Sequence, residues 1–330
     1  MVRERRGGSC GRHSSLYGAI CRKVSFPFDT GRRGERDMDE QQWLADRFAE
    51  HRSHLRAVAF RMLGSLSEAD DALQDAWLRA SRADAGQVDN LAGWLTTIVA
   101  RVCLNLLRSR GQRRDEPLDI QTADPLLGPA SAGDPEHEVV MADSVGVALL
   151  VVLDTLSPAE RLAFVLHDLF AVPFEEIAPM LERSSEAARQ LASRARRRVR
   201  GAAPAPHADL TRRRKVVEAF LSATRGQDFR ALITLLHPEV TLRADRAVML
   251  TAEPVMVAGA EPVAKGAMAA MRRARFTGPA LLDGAVGLVM APHGRLRVAL
   301  AFTIAGDLIT AIDVIAEPDR LDRLQLAVLD

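Results

Sequence analysis

Cysteine is scarce in this chain of 330 residues: Cys10, Cys21 and Cys103 stand far apart and share no metal-ligand spacing. That leaves no disulfide framework or thiolate metal site to argue from, and it fits a reducing cytoplasm in which all three are unpaired. No uninterrupted apolar run is long enough to span a bilayer. Net charge is almost absent as well, at +1, yet the charges are segregated. From Asp115 to Glu160 there is no Lys or Arg, and eight acidic residues fall between Asp115 and Asp143. What remains, 48% hydrophobic and 26% charged, is the composition of a soluble globular protein, and the length suggests two or three domains.

Residues 1–37 are rich in Arg, Gly and Ser, show no periodicity and lack the apolar core of a secretory signal. They read either as a disordered tail or as an upstream extension of a frame that starts at Met38, and the second reading is preferred. From Met38 the pattern is helical. Leu44, Phe48, Leu55, Ala59, Met62 and Leu63 recur at helical spacing until Gly64 stops the run. Ser67 is expected to cap the next helix, with Glu68, Asp70 and Asp71 in its first turn. That helix buries Ala69, Ala72, Leu73, Ala76, Trp77 and Ala80 and leaves Asp71, Gln74, Asp75 and Arg79 outside. Such an acidic strip alone is no more than a solubilising face.

The helix after it turns Leu91, Leu95, Ile98, Val102 and Leu106 toward a core. Thr97, Arg101, Asn105, Arg108 and Gln112 follow one another by steps of four, four, three and four on the other face. That stripe suits a nucleic-acid backbone and exposed bases. The stretch 115–138 then repeats Pro, Gly and Asp without pattern, as a linker does.

Helical patterning returns near Val139, and Ser157-Pro158-Ala159-Glu160 spells a capping box with proline at the first helical position. A short helix carrying Ile177, Met180 and Leu181 follows, interrupted by Pro179, which should kink it. A tight turn at Arg183 and Ser184 leads into "SEAARQLASRARRRVR", where Ala188, Leu191, Ala192, Ala195 and Val199 form a narrow apolar stripe. Ser185, Glu186, Arg189, Gln190, Ser193, Arg194 and Arg197 lie away from it. Arg and Gln are the side-chain types that read guanine and adenine edges, and further arginines suit phosphates. This is the pattern of a helix-turn-helix whose second helix enters the major groove.

The order of these segments, with "GSLSEADDALQDAWLRA" and "AGWLTTIVARVCLNLLRSR" ahead of an acidic linker and a helix-turn-helix, resembles bacterial sigma factors, in particular their compact extracytoplasmic-function group. The resemblance implies a region 2 domain at 38–114 that binds core RNA polymerase and melts the −10 element. It implies a region 4 domain at 139–201 that reads the −35 element. By the same resemblance Asp70, Asp71, Gln74 and Asp75 match the polymerase-contacting helix, and the partners are the β′ and β subunits and promoter DNA. The acidic linker then passes near the polymerase active centre, where it mimics nucleic acid on a basic surface.

After a hinge at 202–210 the composition changes, and 211–330 reads as two helices, a strand, a third helix near Glu261–Arg273 and three strands. Those strands are 280–291, 295–305 and 308–316, read as an antiparallel meander with turns at Pro292-His293-Gly294 and Ala305-Gly306-Asp307. The stretch is similar to SnoaL-like members of the NTF2-like superfamily, a cone with an internal pocket. The expected architecture is therefore multi-domain, two all-α domains followed by an α+β cone.

"AEPDRL" at 316–321 resembles the closing Asn-Pro-Asp-Lys-Leu of sigma factors with this fused domain, which marks Pro318 and Asp319 as regulatory candidates together with Asp245. Asp245-Arg246-Ala247 stands where that subgroup carries Asp-Gly-Gly-Gly-Lys, and only Glu116-Pro117 remains of its Trp-Leu-Pro-Glu-Pro linker motif. A free-standing helix-turn-helix regulator with a ligand-sensing domain is the rival, but two basic helices and an acidic linker exceed what it needs. An enzyme in the cone is the distant third. His237, Asp245, His293 and Asp313 are its candidate residues, and no pair has a spacing that demands catalysis. Neither metal nor cofactor is expected, a small ligand in the cone pocket is left open, and a monomer away from the membrane is expected.

Overall fold

The computed structural model describes residues 30–83, 88–112, 146–201, 207–249, 251 and 253–329. For 30–40, 111, 112, 207, 208, 249 and 271 it describes the backbone alone. The acidic linker, hinge residues 202–206, most of the 1–37 extension, Cys10 and Cys21 lie outside the described residues.

Helix α1 (Thr30–Leu63) begins eight residues before Met38, within the stretch read as an unpatterned extension. Arg32, Arg33, Glu35 and Arg36 are good helix formers, so a helix nucleated by the patterned segment extends back through them. Gly64 ends it at a φ of +80°, a conformation that costs a side chain dearly. Helix α2 (Leu66–Ala80) starts earlier than Ser67. Ser65 occupies the N-cap, and Ser67 Oγ instead lies 2.9 Å from Ser65 Oγ. Burial of Leu66 draws the first turn back over it.

Helix α3 (Leu91–Gln112) is wrapped more fully than a one-sided stripe predicts. Leu95 and Val102 are buried as expected, but Leu91, Ile98 and Leu106 are only partly covered. Val99, Ala100, Cys103, Leu104 and Leu107 are buried in their place. The reason lies in the second helical block, which packs on α3 from another side. The stretch Leu91–Arg110 is long and apolar enough to cross a membrane by composition, yet here it serves as a core helix and carries Arg101, Asn105 and Arg108. Burial pushes the Cys103 thiol up to about 12, so it is an inert core residue.

The second block comprises α4 (Val147–Thr155), α5 (Pro158–Phe164), a π-helical turn (Val165–Leu169), α6 (Phe174–Leu181) and α7 (Ser185–Arg200). The capping box forms as read: Ser157 Oγ accepts from the Glu160 N–H at 3.4 Å, and Glu160 Oε2 accepts from the Ser157 N–H at 3.2 Å. Pro179 sits on the exposed side of α6, which runs on to Leu181 and ends with Glu182 in the left-handed region. Both helical blocks share one hydrophobic core running from Leu44 to Ala195.

The remainder is an α+β cone. Helices α8 (His207–Arg225) and α9 (Phe229–Leu235) lead into β1 (Leu236–Ala244), a short α10 (Arg246–Met249) and β2 (Val255–Ala258). Then come α11 (Ala260–Ala269), α12 (Met271–Ala274), β3 (Thr277–Leu282), β4 (Ala285–Met290), β5 (Val298–Ala305), β6 (Leu308–Ile315), α13 (Pro318–Leu321) and β7 (Leu326–Ala327). The sheet runs β2-β1-β6-β5-β4-β3-β7, and every pair is antiparallel except β1 with β6.

One strand reading is corrected. The single strand expected at 280–291 is a hairpin, turned at Asp283-Gly284 with φ of 50° and 81°. Both central residues of this two-residue turn have positive φ, as Asp-Gly hairpins favour. The expected antiparallel meander forms through β3, β4, β5 and β6, and β1 joins it in parallel beside β6.

Leu288, Met290, Val298 and Leu300 turn into the cone, while Val289 and Ala299 between them pack on Val147, Ala148 and Val151 of α4. The cone is thereby docked on the second helical block. Its chain end adds a rung, since the Val328 N–H donates to the Val199 carbonyl at 3.0 Å. The first block meets it at Gly64, where an added Cβ would lie 3.2 Å from the Gly294 Cα.

Candidate nucleic-acid interface

The apolar stripe predicted for α7 is the side it buries. Ala188, Leu191, Ala192 and Ala195 are inside and Val199 is at the edge. Ser184 caps the helix, its Oγ accepting from the Ala187 N–H at 3.2 Å. With that side fixed, Glu186, Arg189, Gln190, Ser193, Arg194 and Arg197 are exposed and Ser185 is half-buried. Glu186 holds both base-reading candidates: Arg189 Nη1 donates to its Oε2 at 2.8 Å and Gln190 Nε2 to its Oε1 at 3.5 Å. The Arg189 guanidinium also lies 5.4 Å from the centre of the Phe174 ring on α6, itself stacked on His167 at 3.8 Å. A carboxylate on one side and a ring face on the other limit the rotamers of a long side chain, which reduces its ordering cost on binding.

The other arginines divide. Arg194 Nε lies 3.4 Å from Glu160 Oε1 and Arg198 Nη1 lies 3.3 Å from Glu160 Oε2, so both tie α7 to the start of α5. Arg196 Nε is 2.9 Å from Asp168 Oδ1 in an ion pair without an aligned hydrogen bond. Burial raises the Asp168 carboxyl despite Arg196. The Arg197 side chain has no hydrogen bond or ion pair among the described residues. Phe174 was not singled out from the sequence, and Glu160 read only as a cap.

On α3, Arg101, Asn105 and Arg108 form an exposed row, without hydrogen-bonded or ion-paired partners among the described residues. Thr97 is half-buried and its Oγ1 donates to the Gly93 carbonyl at 2.9 Å, while the Gln112 side chain lies outside the described residues. On α2, Asp71, Gln74 and Asp75 are exposed beside Leu78, an apolar residue 49% exposed. Asp70 is turned aside: Arg56 Nε and Nη2 donate to its two oxygens at 2.8 and 2.7 Å, a bidentate pair within the block. Gln74, Trp77 and Leu78 line a groove against Phe48 and Arg52 of α1.

In the cone, the loop at Asp245 and the stretch around Pro318 and Asp319 come together. Asp245 is buried, and its Oδ2 accepts from the Ala316 and Glu317 N–H groups at 3.1 and 3.2 Å. Arg320 forks between Asp245 Oδ1 and Asp313 Oδ2, each at 2.5 Å. Burial pushes the Asp245 carboxyl up, but these three hydrogen bonds outweigh it and hold it below the usual carboxylate range. Pro318 and Asp319 are exposed on the first turn of α13. His237, Asp245, His293 and Asp313 are all absent from the lining of the cone's cavity.

Comparison with known proteins places both helical blocks in known families. The Sigma-70 region 2 family matches residues 47–113 and the Sigma-70 region 4 family matches residues 146–199. A probable ECF RNA polymerase sigma factor of Mycobacterium tuberculosis, SigI, is 33% identical over 281 residues, covering 83% of this chain and 93% of that one. This chain belongs to the ECF sigma factors. The ECF sigma factor SigJ of the same organism is 42% identical over 195 residues, 59% of this chain and 62% of that one. Its crystal structure aligns at a TM-score of 0.40 and 30% identity, covering 84% of this chain and 98% of that chain. As an ECF sigma factor, the protein binds RNA polymerase and directs promoter-specific initiation. Both base-reading candidates on α7 lie within the region 4 match, and the acidic strip of α2 lies within the region 2 match.

Proposed function

We propose that this sigma factor divides its work among three faces. The α7 face of Ser185, Glu186, Arg189, Gln190, Ser193, Arg194 and Arg197 reads the −35 element. Within it Arg189 and Gln190 are the base readers, Arg197 is a phosphate contact, and Arg194 serves partly to brace α7 through Glu160. Thr97, Arg101, Asn105, Arg108 and Gln112 of α3 meet the −10 element. Asp71, Gln74 and Asp75, with Leu78 beside them, dock on the polymerase β′ subunit, while Asp70 holds α2 to α1 through Arg56. The β subunit is the second contact expected of the α7 block. The observation that carries the −35 reading is the exposed Arg189–Glu186–Gln190 cluster on a helix seated by small apolar residues.

The fused cone acts through contact, not chemistry, and the chain works as a monomer in the cytoplasm. The candidate acid and base residues support this by their absence from the cavity lining, and Asp245 and Asp313 are engaged with Arg320. Asp245, Pro318 and Asp319 belong to the hinge of that contact, because α13 leads directly into Leu321 and Leu324, which pack toward α4.

Two paired substitutions test the assignment. Arg189→Ala with Gln190→Ala is expected to remove about 1–3 kcal/mol of base discrimination per lost bidentate contact and to spare polymerase binding. Asp71→Ala with Asp75→Ala is expected to weaken capture of core polymerase and spare promoter choice. An identical defect from both pairs would mean that the faces are wrongly divided.

A further inference from the structure

The cone encloses a cavity of about 210 Å³ that none of the promoter or polymerase surfaces uses. Its walls are Leu, Val, Ile, Ala, Met and Phe side chains, and among the described residues it is lined by no carboxylate, imidazole, thiol or phenol. Three lining residues are polar: Thr224, Thr277 and Arg273. Thr224 Oγ1 donates to the Phe220 carbonyl at 2.9 Å and Thr277 Oγ1 to the Arg273 carbonyl at 3.0 Å, so both hydroxyl protons are committed to the backbone. Arg273 is half-buried and engaged in an interaction of its own. Apart from Arg273, the space offers a guest dispersion and apolar burial, and no other charged side chain lines it among the described residues.

Size narrows the guest further. An apolar cavity of about 150 Å³ stays dry and takes benzene, whereas drug-sized ligands occupy about 300–1,000 Å³. A cavity of about 210 Å³ falls between these. Access is from α11, where Pro262 and Gly266 both line the cavity and face solvent. We propose that the cone is a binding site for a neutral, apolar small molecule between benzene and a fused two-ring hydrocarbon in size. Occupancy is felt one pleat away, since β4 and β5 present alternate residues to this cavity and to α4 of the promoter-reading block. The site stands independently of which residues read the promoter.

The test is titration of the full chain with naphthalene and, in parallel, with naphthalene-2-sulfonate, followed by fluorescence and thermal denaturation. Saturable one-to-one naphthalene binding is expected, with the sulfonate weaker by about tenfold or more because a charge must be desolvated to enter. Gly266→Leu should plug the mouth. A Cβ there meets nothing within 4 Å, and replacing glycine inside a helix favours folding. Naphthalene affinity should fall about tenfold in that variant while the unliganded Tm is held or rises. Ala270→Leu at the neighbouring position serves as a second plug if Gly266→Leu folds poorly. Absence of saturable binding, equal affinity for the sulfonate, or undiminished binding in both folded plugged variants would each overturn the proposal.

Discussion

Arg161 is the residue whose replacement is expected to make this protein more stable. Its side chain is 3% exposed inside the core shared by the two helical blocks. Among the described residues Nε and Nη2 have no hydrogen-bond partner, and Asp154 Oδ1 lies 3.8 Å from Nη1. Burial drives the guanidinium down to about 10, with Asp154 opposing. An unsatisfied buried donor costs about 1–3 kcal/mol, and replacing a buried ionic group with an apolar one of similar volume is often stabilising by about 1–4 kcal/mol. Taking two orphaned donors near the low end, Arg161→Met should gain about 2 kcal/mol. At about 2 °C per kcal/mol for a large domain, Tm should rise by about 4 °C.

The pH dependence has a definite sign. The folded value lies below the ordinary guanidinium value, so from about pH 10 upward the unfolded chain binds more protons. The penalty is complete at neutral pH and is relieved above about 10, so the advantage of the Met variant should shrink there. Thermal denaturation of both proteins at pH 7.5 and across the alkaline range measures this. A Tm that falls on substitution, or an advantage that grows with pH, would refute the reasoning.

Other expectations follow from single contacts. Asp245→Asn should cost about 2 kcal/mol by weakening the charge-assisted bonds from Ala316, Glu317 and Arg320. The Asp245 contribution is complete above the ordinary carboxylate range and lost as pH falls through its lowered folded value, so denaturation curves of the two proteins should converge in acid. Gly284→Val should destabilise the cone by about 1–2 kcal/mol, because a β-branched residue is forced to a φ near +81° in the hairpin turn. A urea titration of the cone transition reads it. Val147→Asp, placing a charge where Val147 packs against Gly278 of β3, should release the cone from the helical block and raise the radius of gyration in solution scattering.

The helices were the most legible part of this sequence, because their signals are local. The α7 stripe and the Ser157 capping box could be read from spacing alone, and both formed as read. The α2 cap was misplaced by two residues since burial of Leu66, a tertiary effect, decides where that helix starts. The shared core was invisible for a similar reason. Val99, Cys103 and Leu107 make sense only once a second block covers α3. In the cone, Asp283-Gly284 was a readable hairpin signal hidden inside a continuous apolar run. At the surfaces, residue types pointed to exposed faces but not to the pairings. Arg56 with Asp70, and Glu160 with Arg194 and Arg198, join residues remote in sequence, so no motif records which charges are already engaged. The meeting of Asp245 with Arg320 across β6 is of the same kind.

The most direct test of promoter reading by α7 is to sequence the transcripts that core RNA polymerase initiates in vitro. Reactions would carry the full-length chain or its Arg189→Ala, Gln190→Ala double variant, at matched, saturating occupancy of core. With the unaltered chain, start sites should cluster downstream of a shared −35 sequence. With the double variant, polymerase should remain bound while those start sites weaken and the shared sequence loses definition. An unchanged set of start sites at unchanged strength would contradict the assignment of promoter reading to this face.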